Sequence, residues 1–442
     1  PASIMYEFAS YSLPGRFSHW THGKAYHRQK MQYDFGLSKI YEMVVNTNPS
    51  YAFLMDMNDL LQNTFVAAHV FGHTDFFKNN AYFQHTSRRM IDKVSIHAER
   101  IAKYEFDHGK TEVEHFLDAV LSIQEHVDYN LLIREEKPRN PDEEIPKSPG
   151  IYDDLWGLDQ RERKAEEERE RRPGKPAKFP EKPQKDILLF LSQHAPHLEP
   201  WQRDIIEIVR TEMLYFVPQM QTKVLNEGWA SVWHSRIMRR LGETGVISDA
   251  QTIEFATLHS GVLSPSRTSL NPYYLGFKML EDIERRWNDP TQEEKDRLGR
   301  KPGMGLQKIF EVREMDNDVS FLRNYLTEDL VKELDLYLYK KEGDEWVIAE
   351  KNWEKVRDGI VASLNNFGSP YLVVENGDFR GNRELLITHV FEGQELDMNY
   401  AEKTLQYVYL LWGRPVHLET IYDGKKILIS YDGERSSKST LE

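Results

Sequence analysis

The sequence predicts a mainly α-helical body, interrupted by a charged insertion and followed by a small antiparallel α+β domain. Three observations lead there. Apolar residues recur at helical spacing over most of the chain before Leu334, a Pro-rich and charge-rich stretch breaks that pattern, and alternating hydrophobicity takes over after it.

The first helical block runs from about Lys24 to Val127, in YEMVVNTNPSYAFLM, DLLQNTFVAAHVFGHTDFF and VSIHAERIAKYEF, with Asn-Pro and Lys-Asn-Asn breaks between them. From about Lys137 to Lys185 Pro recurs, and the charge run RERKAEEERERR covers Arg161 to Arg172, the composition of a solvated insertion. Helical spacing returns in EPWQRDIIEIVRTEMLYFVPQM, NEGWASVWHSRIMRRLGETG and NPYYLGFKMLEDIERRW, which stops before Asp289-Pro290. Residues 1–136 and 186–332 are thus read as two halves of one body around an insertion at 137–185, with 333–442 as the C-terminal domain. That last part alternates in LYLYKKEGDEWVIAE, PYLVVENGDFRGNRELLITHVFEG and PVHLETIYDGKKILISYDG. Helical WEKVRDGIVASLNNF and NYAEKTLQYVYLLWG lie between, and Asn-Gly and Asp-Gly mark turns.

Composition narrows the function. With 442 residues and 40% hydrophobic content the chain can bury a sizeable core. A formal net charge of -14 argues against a protein that coats nucleic acid, which needs concentrated Lys and Arg. The absence of Cys excludes disulfides, thiolate ligands and a cysteine nucleophile, so metal chemistry would rest on His and carboxylates. No apolar run approaches the roughly 20 residues of a membrane span, and the first residues lack the basic-then-apolar order of a signal peptide. The expectation is a cytoplasmic protein.

In FVAAHVFGHTDFF, His69 and His73 stand at i and i+4, so both imidazoles leave one helix face about 6 Å apart. Two such nitrogens can bind one metal ion, or the pair can be core histidines hydrogen-bonded to carboxylates or carbonyls. In LNEGWASVWHSR, Glu227 and His234 are aligned by two helical turns with small Ala230 between them. This face can approach another helix closely and complete a His/His/Glu site, or Asn226 can simply cap the helix while Trp229 and Trp233 fill the core. Glu42, Asp75 and His97 are candidates for orienting the ligands. Two Glu-x-x-His pairs, Glu105 with His108 and Glu112 with His115, have di-iron spacing but read better as helix-end polar residues, because Thr111 and Glu114 form a capping box. No Gly-x-Gly-x-x-Gly, Walker A or Gly-x-Ser-x-Gly signature supports nucleotide binding or serine hydrolysis.

Together the two segments resemble the gluzincin metallopeptidases, whose His-Glu-x-x-His helix and later glutamate helix hold zinc. The resemblance implies a zincin-like helical body, a divalent metal, zinc first, and His69, His73 and Glu227 as ligands; His234 is a further candidate. His259, in Leu-His-Ser-Gly, and Tyr273 and Tyr274, in Asn-Pro-Tyr-Tyr-Leu-Gly, resemble the segments that stabilise an oxyanion in such enzymes. The departure is Val70, which stands where the family has its catalytic glutamate and carries no proton-accepting group.

Taken in order, HWTHGKAY, YEMVVNTNPSYAFLM, VAAHVFGHTDFFKNN, NEGWASVWHSRIM, NPYYLGFKMLEDIERRW, RGNRELLITHVFEG and LLWGRPVHLET resemble the stage V sporulation protein R (SpoVR) family over nearly the whole chain. That resemblance implies a part in spore cortex assembly or stress-related regulation, and a serine protein kinase and a von Willebrand-A-like protein as partners. Two expectations follow: from His69, His73 and Glu227 and the gluzincin resemblance, a metal-dependent hydrolase or degenerate metallopeptidase; from Val70 and the acidic surface, a non-enzymatic adaptor in a kinase-containing complex.

Overall fold

The computed structural model describes residues 2–34, 42–132, 178–265, 270–343 and 345–441. Its helices are α1 (Ala2–Tyr11), α2 (Trp20–Asp34), α3 (Leu60–Asn79), α4 (Met90–His108), α5 (Lys110–Leu121), α6 (Ile187–His194), α7 (Pro200–Gln221), α8 (Lys223–Glu243), α9 (Asp249–Val262), α10 (Pro272–Asn288), α11 (Gln292–Leu298), α12 (Gly305–Met315), α13 (Asp318–Tyr325), α14 (Glu328–Glu333), α15 (Trp353–Leu364) and α16 (Met398–Trp412). Its strands are β1 (Glu42–Val45), β2 (Tyr51–Leu54), β3 (Leu338–Glu342), β4 (Glu345–Glu350), β5 (Leu372–Phe379), β6 (Glu384–His389), β7 (Val416–Tyr422), β8 (Lys425–Tyr431) and β9 (Ser436–Thr440). The chain is therefore mainly helical with a small C-terminal sheet. Among the described residues no helix is long and apolar enough to cross a membrane. The expected insertion lies outside the described residues as far as residue 177.

The chain divides into two compact units, Pro1–Glu114 with Thr211–Ser369, and His115–Arg210 with Pro370–Glu442. In the first unit one sequence expectation is corrected. Of the segment YEMVVNTNPSYAFLM, Glu42 to Leu54 form a β-hairpin and not a helix, with β1 paired antiparallel to β2 from Glu42↔Leu54 to Val45↔Tyr51. Its β-branched and aromatic residues suit a pleated strand. The Asn-Pro-Ser segment closes the turn, Thr47 Oγ1 donating to the Pro49 carbonyl at 2.7 Å and Ser50 Oγ to the Thr47 carbonyl at 3.3 Å.

Helix α3 begins where the Asp59 carboxylate accepts the Gln62 N–H at 2.7 Å. Helix α8 is capped from a distance: the Asp318 carboxylate accepts the N–H groups of Val224 and Leu225, each at 2.9 Å. This leaves Asn226 free of the capping role that the sequence offered for it. Glycines set the spacing of the helices. A Cβ built on Gly72 of α3 would lie 2.5 Å from the Ala230 Cα of α8, and one on Gly228 of α8 would lie 2.4 Å from the Gly276 carbonyl carbon of α10. Only bare backbone allows such approach. Behind these contacts Phe76, Leu225, Trp229, Leu280, Ile309 and Phe321 form a buried cluster. Each such side chain contributes about 1.5–3 kcal/mol on burial. The β3–β4 hairpin and α15 group with this unit.

In the second unit the sheet runs in the order β5-β6-β7-β8-β9. The expectation of a purely antiparallel domain is corrected at one pair, since β6 and β7 are parallel from Leu385↔Val416 to Thr388↔Glu419. Helix α16 supplies the crossover that a parallel pair requires. The turn signals divide. Asp423-Gly424 makes a tight two-residue turn with φ of 49° and 68° between Tyr422 and Lys425. Asn376-Gly377 instead lies inside β5 at an irregularity in its register. Gly377 is needed there because a Cβ would meet the Phe190 ring at 2.7 Å. The same ring stacks on Trp412, centroids 5.7 Å apart.

Candidate metal centre

The close contact of α3 with α8 brings two sets of polar side chains together inside the first unit. His69 and His73 are both buried on the α8 side of α3. Their Nε2 atoms each lie 3.4 Å from the same atom, Glu227 Oε2. The β1 strand adds Glu42, whose Oε1 is 4.0 Å from His69 Nε2. Ligand atoms of Glu42, His69 and His73 lie within 4.8 Å of one another.

The other ring nitrogens are held from behind. His73 Nδ1 is 3.0 Å from Asn226 Oδ1 and so donates to it, and His69 Nδ1 is 2.9 Å from His234 Nδ1. Each ring then turns its Nε2 to the carboxylates. Asp75 supports the frame by accepting the Trp229 Nε1–H at 2.9 Å, which ties α3 to α8. His97 is elsewhere, on Glu212, which Arg16 also contacts. Glu105, His108, Glu112 and His115 form no further metal-sized group among the described residues.

His234 does not join Glu227 around one point. Seven residues of helix separate them by about 10.5 Å along the axis, so alignment on one face is not convergence. His234 lies behind His69, fully buried, and its Nε2 is 2.8 Å from His259 Nδ1. His259 accordingly meets His234 and not the carboxylates. Tyr273 is at the centre: its ring stacks on His69 at 5.9 Å, and its phenol is close enough to Glu227 to feel that charge. The adjacent Tyr274 packs against the core and lines a separate cavity of about 280 Å³ with Leu338, Trp346 and Ile360. Val70 packs with Leu61, Phe65 and Met238, among apolar groups.

The electrostatics are those of a coupled buried cluster. Burial works against a charge on His73, but Glu227 outweighs it and, with the hydrogen bond to Asn226, pushes its pKa up to about 9. Burial would raise Glu227, yet His73 and His69 hold its carboxyl far below the usual range. Burial raises Glu42. Burial, then Glu227 and Glu42, push the Tyr273 phenol well up, so it stays a donor. Burial keeps His234 far below the usual imidazole range, and burial with Arg239 lowers His259 to about 4. Both rings are therefore neutral at ordinary pH.

Two buried atoms decide what this cluster can hold. His69 Nε2 and Glu227 Oε2 are buried without a hydrogen-bond partner. Their spacing fits a shared cation. Ligand bonds of about 2.0–2.1 Å in a tetrahedron put neighbouring ligand atoms about 3.3 Å apart, close to the 3.4 Å found twice here. Glu42, at 4.0 Å, stands just outside that three-point set. Sequence reasoning had Glu42 only as an orienting group and Asn226 only as a cap. The signal for Glu42 lay in strand-like VV and YAF around Asn-Pro, and Asn226 had none beyond sitting beside Glu227.

An uncharacterized protein of Escherichia coli K12, YcgB, is 29% identical to the chain over 440 residues, covering 94% of this chain and 85% of its own. No solved structure matches. The family model described as SpoVR like protein matches residues 1–369, and that of the SpoVR-like C-terminal domain matches 370–423, a junction that coincides with the break between compact units at Ser369 and Pro370. A chain matched along almost its whole length by these two models belongs to the SpoVR family.

Proposed function

We propose that this chain is a metalloprotein whose centre, His69, His73 and Glu227, binds a divalent cation, zinc first, and supports hydrolytic chemistry. The observation that carries the reading is the pair of unpartnered buried atoms, His69 Nε2 and Glu227 Oε2, set at the edge length of a coordination tetrahedron. A divalent ion there would supply Lewis-acid polarisation of a carbonyl group. His69 and His73 offer Nε2 because His234 and Asn226, respectively, occupy their Nδ1 atoms. Glu42 Oε1, 4.0 Å from His69 Nε2, would take the proton that position 70 cannot. The Tyr273 hydroxyl donates to negative charge that develops next to Glu227. The part in spore cortex assembly that the SpoVR resemblance implies is then indirect, exerted from the cytoplasm.

The test is the metal content of the purified full chain. Near-stoichiometric zinc in the wild type, lost in a His69→Ala/His73→Ala variant, supports the reading; equal sub-stoichiometric metal in both removes it.

The packing of half-buried Val70 against an apolar cluster, where a catalytic carboxylate would be expected, favours a second reading, a non-enzymatic adaptor that docks a serine protein kinase and a von Willebrand-A-like protein. Pull-downs with the full chain separate the two. Partner capture unchanged in the His69→Ala/His73→Ala variant, with no turnover in either protein, favours the adaptor.

A further inference from the structure

We infer that His259, at the end of a three-imidazole chain, fixes through His234 which nitrogen His69 turns to the centre. This rests on the metal-centre reading above and extends it two residues outward. The contacts are His69 Nδ1 to His234 Nδ1 at 2.9 Å and His234 Nε2 to His259 Nδ1 at 2.8 Å. A neutral imidazole has one N–H and one bare nitrogen, so such a chain runs in one of two directions only.

In the first direction His259 Nδ1–H donates to His234, and His234 Nδ1–H donates to His69 Nδ1. The hydrogen of His69 then sits on Nε2, facing Glu227, and blocks that nitrogen as a ligand. In the second direction His69 Nδ1–H donates to His234 Nδ1, and His234 Nε2–H donates to His259 Nδ1. His69 Nε2 is then bare, and the remaining hydrogen is on His259 Nε2.

His234 is fully buried, so water cannot replace either neighbour, and the direction at one end is the direction at the other. His259 is only partly buried and is the member that can meet solvent. Neighbouring rings hold the geometry. Phe65 lies edge-on to His234 at 4.6 Å, while His259 stacks on Phe255 at 5.6 Å and meets Phe277 at 5.4 Å. His259 is thus a positioning residue: its acceptor Nδ1 keeps His69 in the ligand-ready tautomer. Side chains that orient a metal's ligands directly, as His234 does, alter affinity by about 10–100-fold, and His259 acts through His234 at the lower end of that range.

The experiment uses the full chain and cobalt(II) as probe, with affinity read by competition against a chromophoric chelator and geometry by the visible absorption of the cobalt. His259→Leu removes the acceptor; His259→Gln keeps a carbonyl oxygen that can take its place. The expected result is an affinity loss of about tenfold with an altered cobalt spectrum in His259→Leu, and recovery to within about threefold in His259→Gln. Wild-type affinity and spectrum in His259→Leu would overturn the inference while leaving the metal centre standing. Absence of cobalt binding in the wild type would overturn both. Nitrogen-15 spectra of the metal-free wild type give a reading that needs no variant. A protonated His69 Nδ1 supports the chain, and a protonated His69 Nε2 refutes it.

Discussion

Gly72 of α3 lies so close to Ala230 of α8 that any side chain there would collide with the Ala230 backbone, a Cβ falling 2.5 Å from its Cα. This contact sits one residue before His73 and three after Glu227. The helix spacing that sets the proposed metal centre and the packing of the core are therefore one feature. Gly72→Ala should lower stability by about 1–3 kcal/mol through overpacking, and should also weaken cobalt binding by separating His73 from Glu227. Gly23→Ala is the control, because a Cβ there meets nothing within 4 Å. Urea denaturation and chelator competition on both variants check this. Equal behaviour of the two would show that α3 and α8 have room to spare.

Asn226 predicts a separable effect. Its Oδ1 accepts from His73 Nδ1 at 3.0 Å in a buried setting. Asn226→Leu fills similar volume but leaves that N–H without a partner, at about 1–3 kcal/mol. The ring is then free to turn, and zinc affinity should fall by about tenfold or more. Isothermal titration of the folded variant with zinc measures it, and unchanged affinity would mean that α3 packing alone orients His73.

The parts of the centre legible in the sequence were those carried by helix geometry. His69 and His73 are one turn apart on α3, and small Ala230 between Glu227 and His234 announced a close helix contact, to which the structure adds Gly72 and Gly228. What could not be read was anything set by a partner distant in sequence. Glu42 reaches the cluster from a hairpin whose apolar residues also happen to fall at helical spacing, and period alone does not separate the two in so short a segment. His234 shared a face with Glu227, but height along the axis separated their roles. The parallel pairing of β6 with β7 was likewise hidden, because each strand sits in a sequence-local hairpin pattern while the crossover through α16 is a tertiary choice.

His126 makes a prediction about acid stability in the second unit. Burial, then the nearby Lys185, lowers its pKa to about 4. Unfolded, it takes up a proton near the ordinary value of 6.5. Between these two values the unfolded chain binds more protons, so this contribution is fully present above about pH 6.5 and is lost as pH falls toward 4. At about pH 5 the loss amounts to roughly 2 kcal/mol. His126→Gln, which does not titrate, should lose less stability than the wild type between neutral pH and pH 5 when both are unfolded with urea. Parallel losses would remove His126 as the cause.

Glu42 and Val70 give the sharpest contrast, since one has the position and the other the sequence place of a catalytic carboxylate. Glu42 lies 4.0 Å from His69 Nε2 and outside the three-point ligand set. Glu42→Gln should therefore keep zinc at near wild-type occupancy and lower turnover of a fluorogenic peptide pool by about 10²-fold or more, the usual worth of a positioned base. Val70→Glu restores the gluzincin pattern on paper, but its neighbours are Leu61, Phe65 and Met238. A carboxylate among them costs stability unless it is protonated or turns away to solvent. The variant should melt at lower temperature and gain no activity, alone or combined with Glu42→Gln. Rescue of Glu42→Gln by Val70→Glu would show that position 70 can reach the reacting atoms after all. It would assign the missing base to the helix and not to the hairpin.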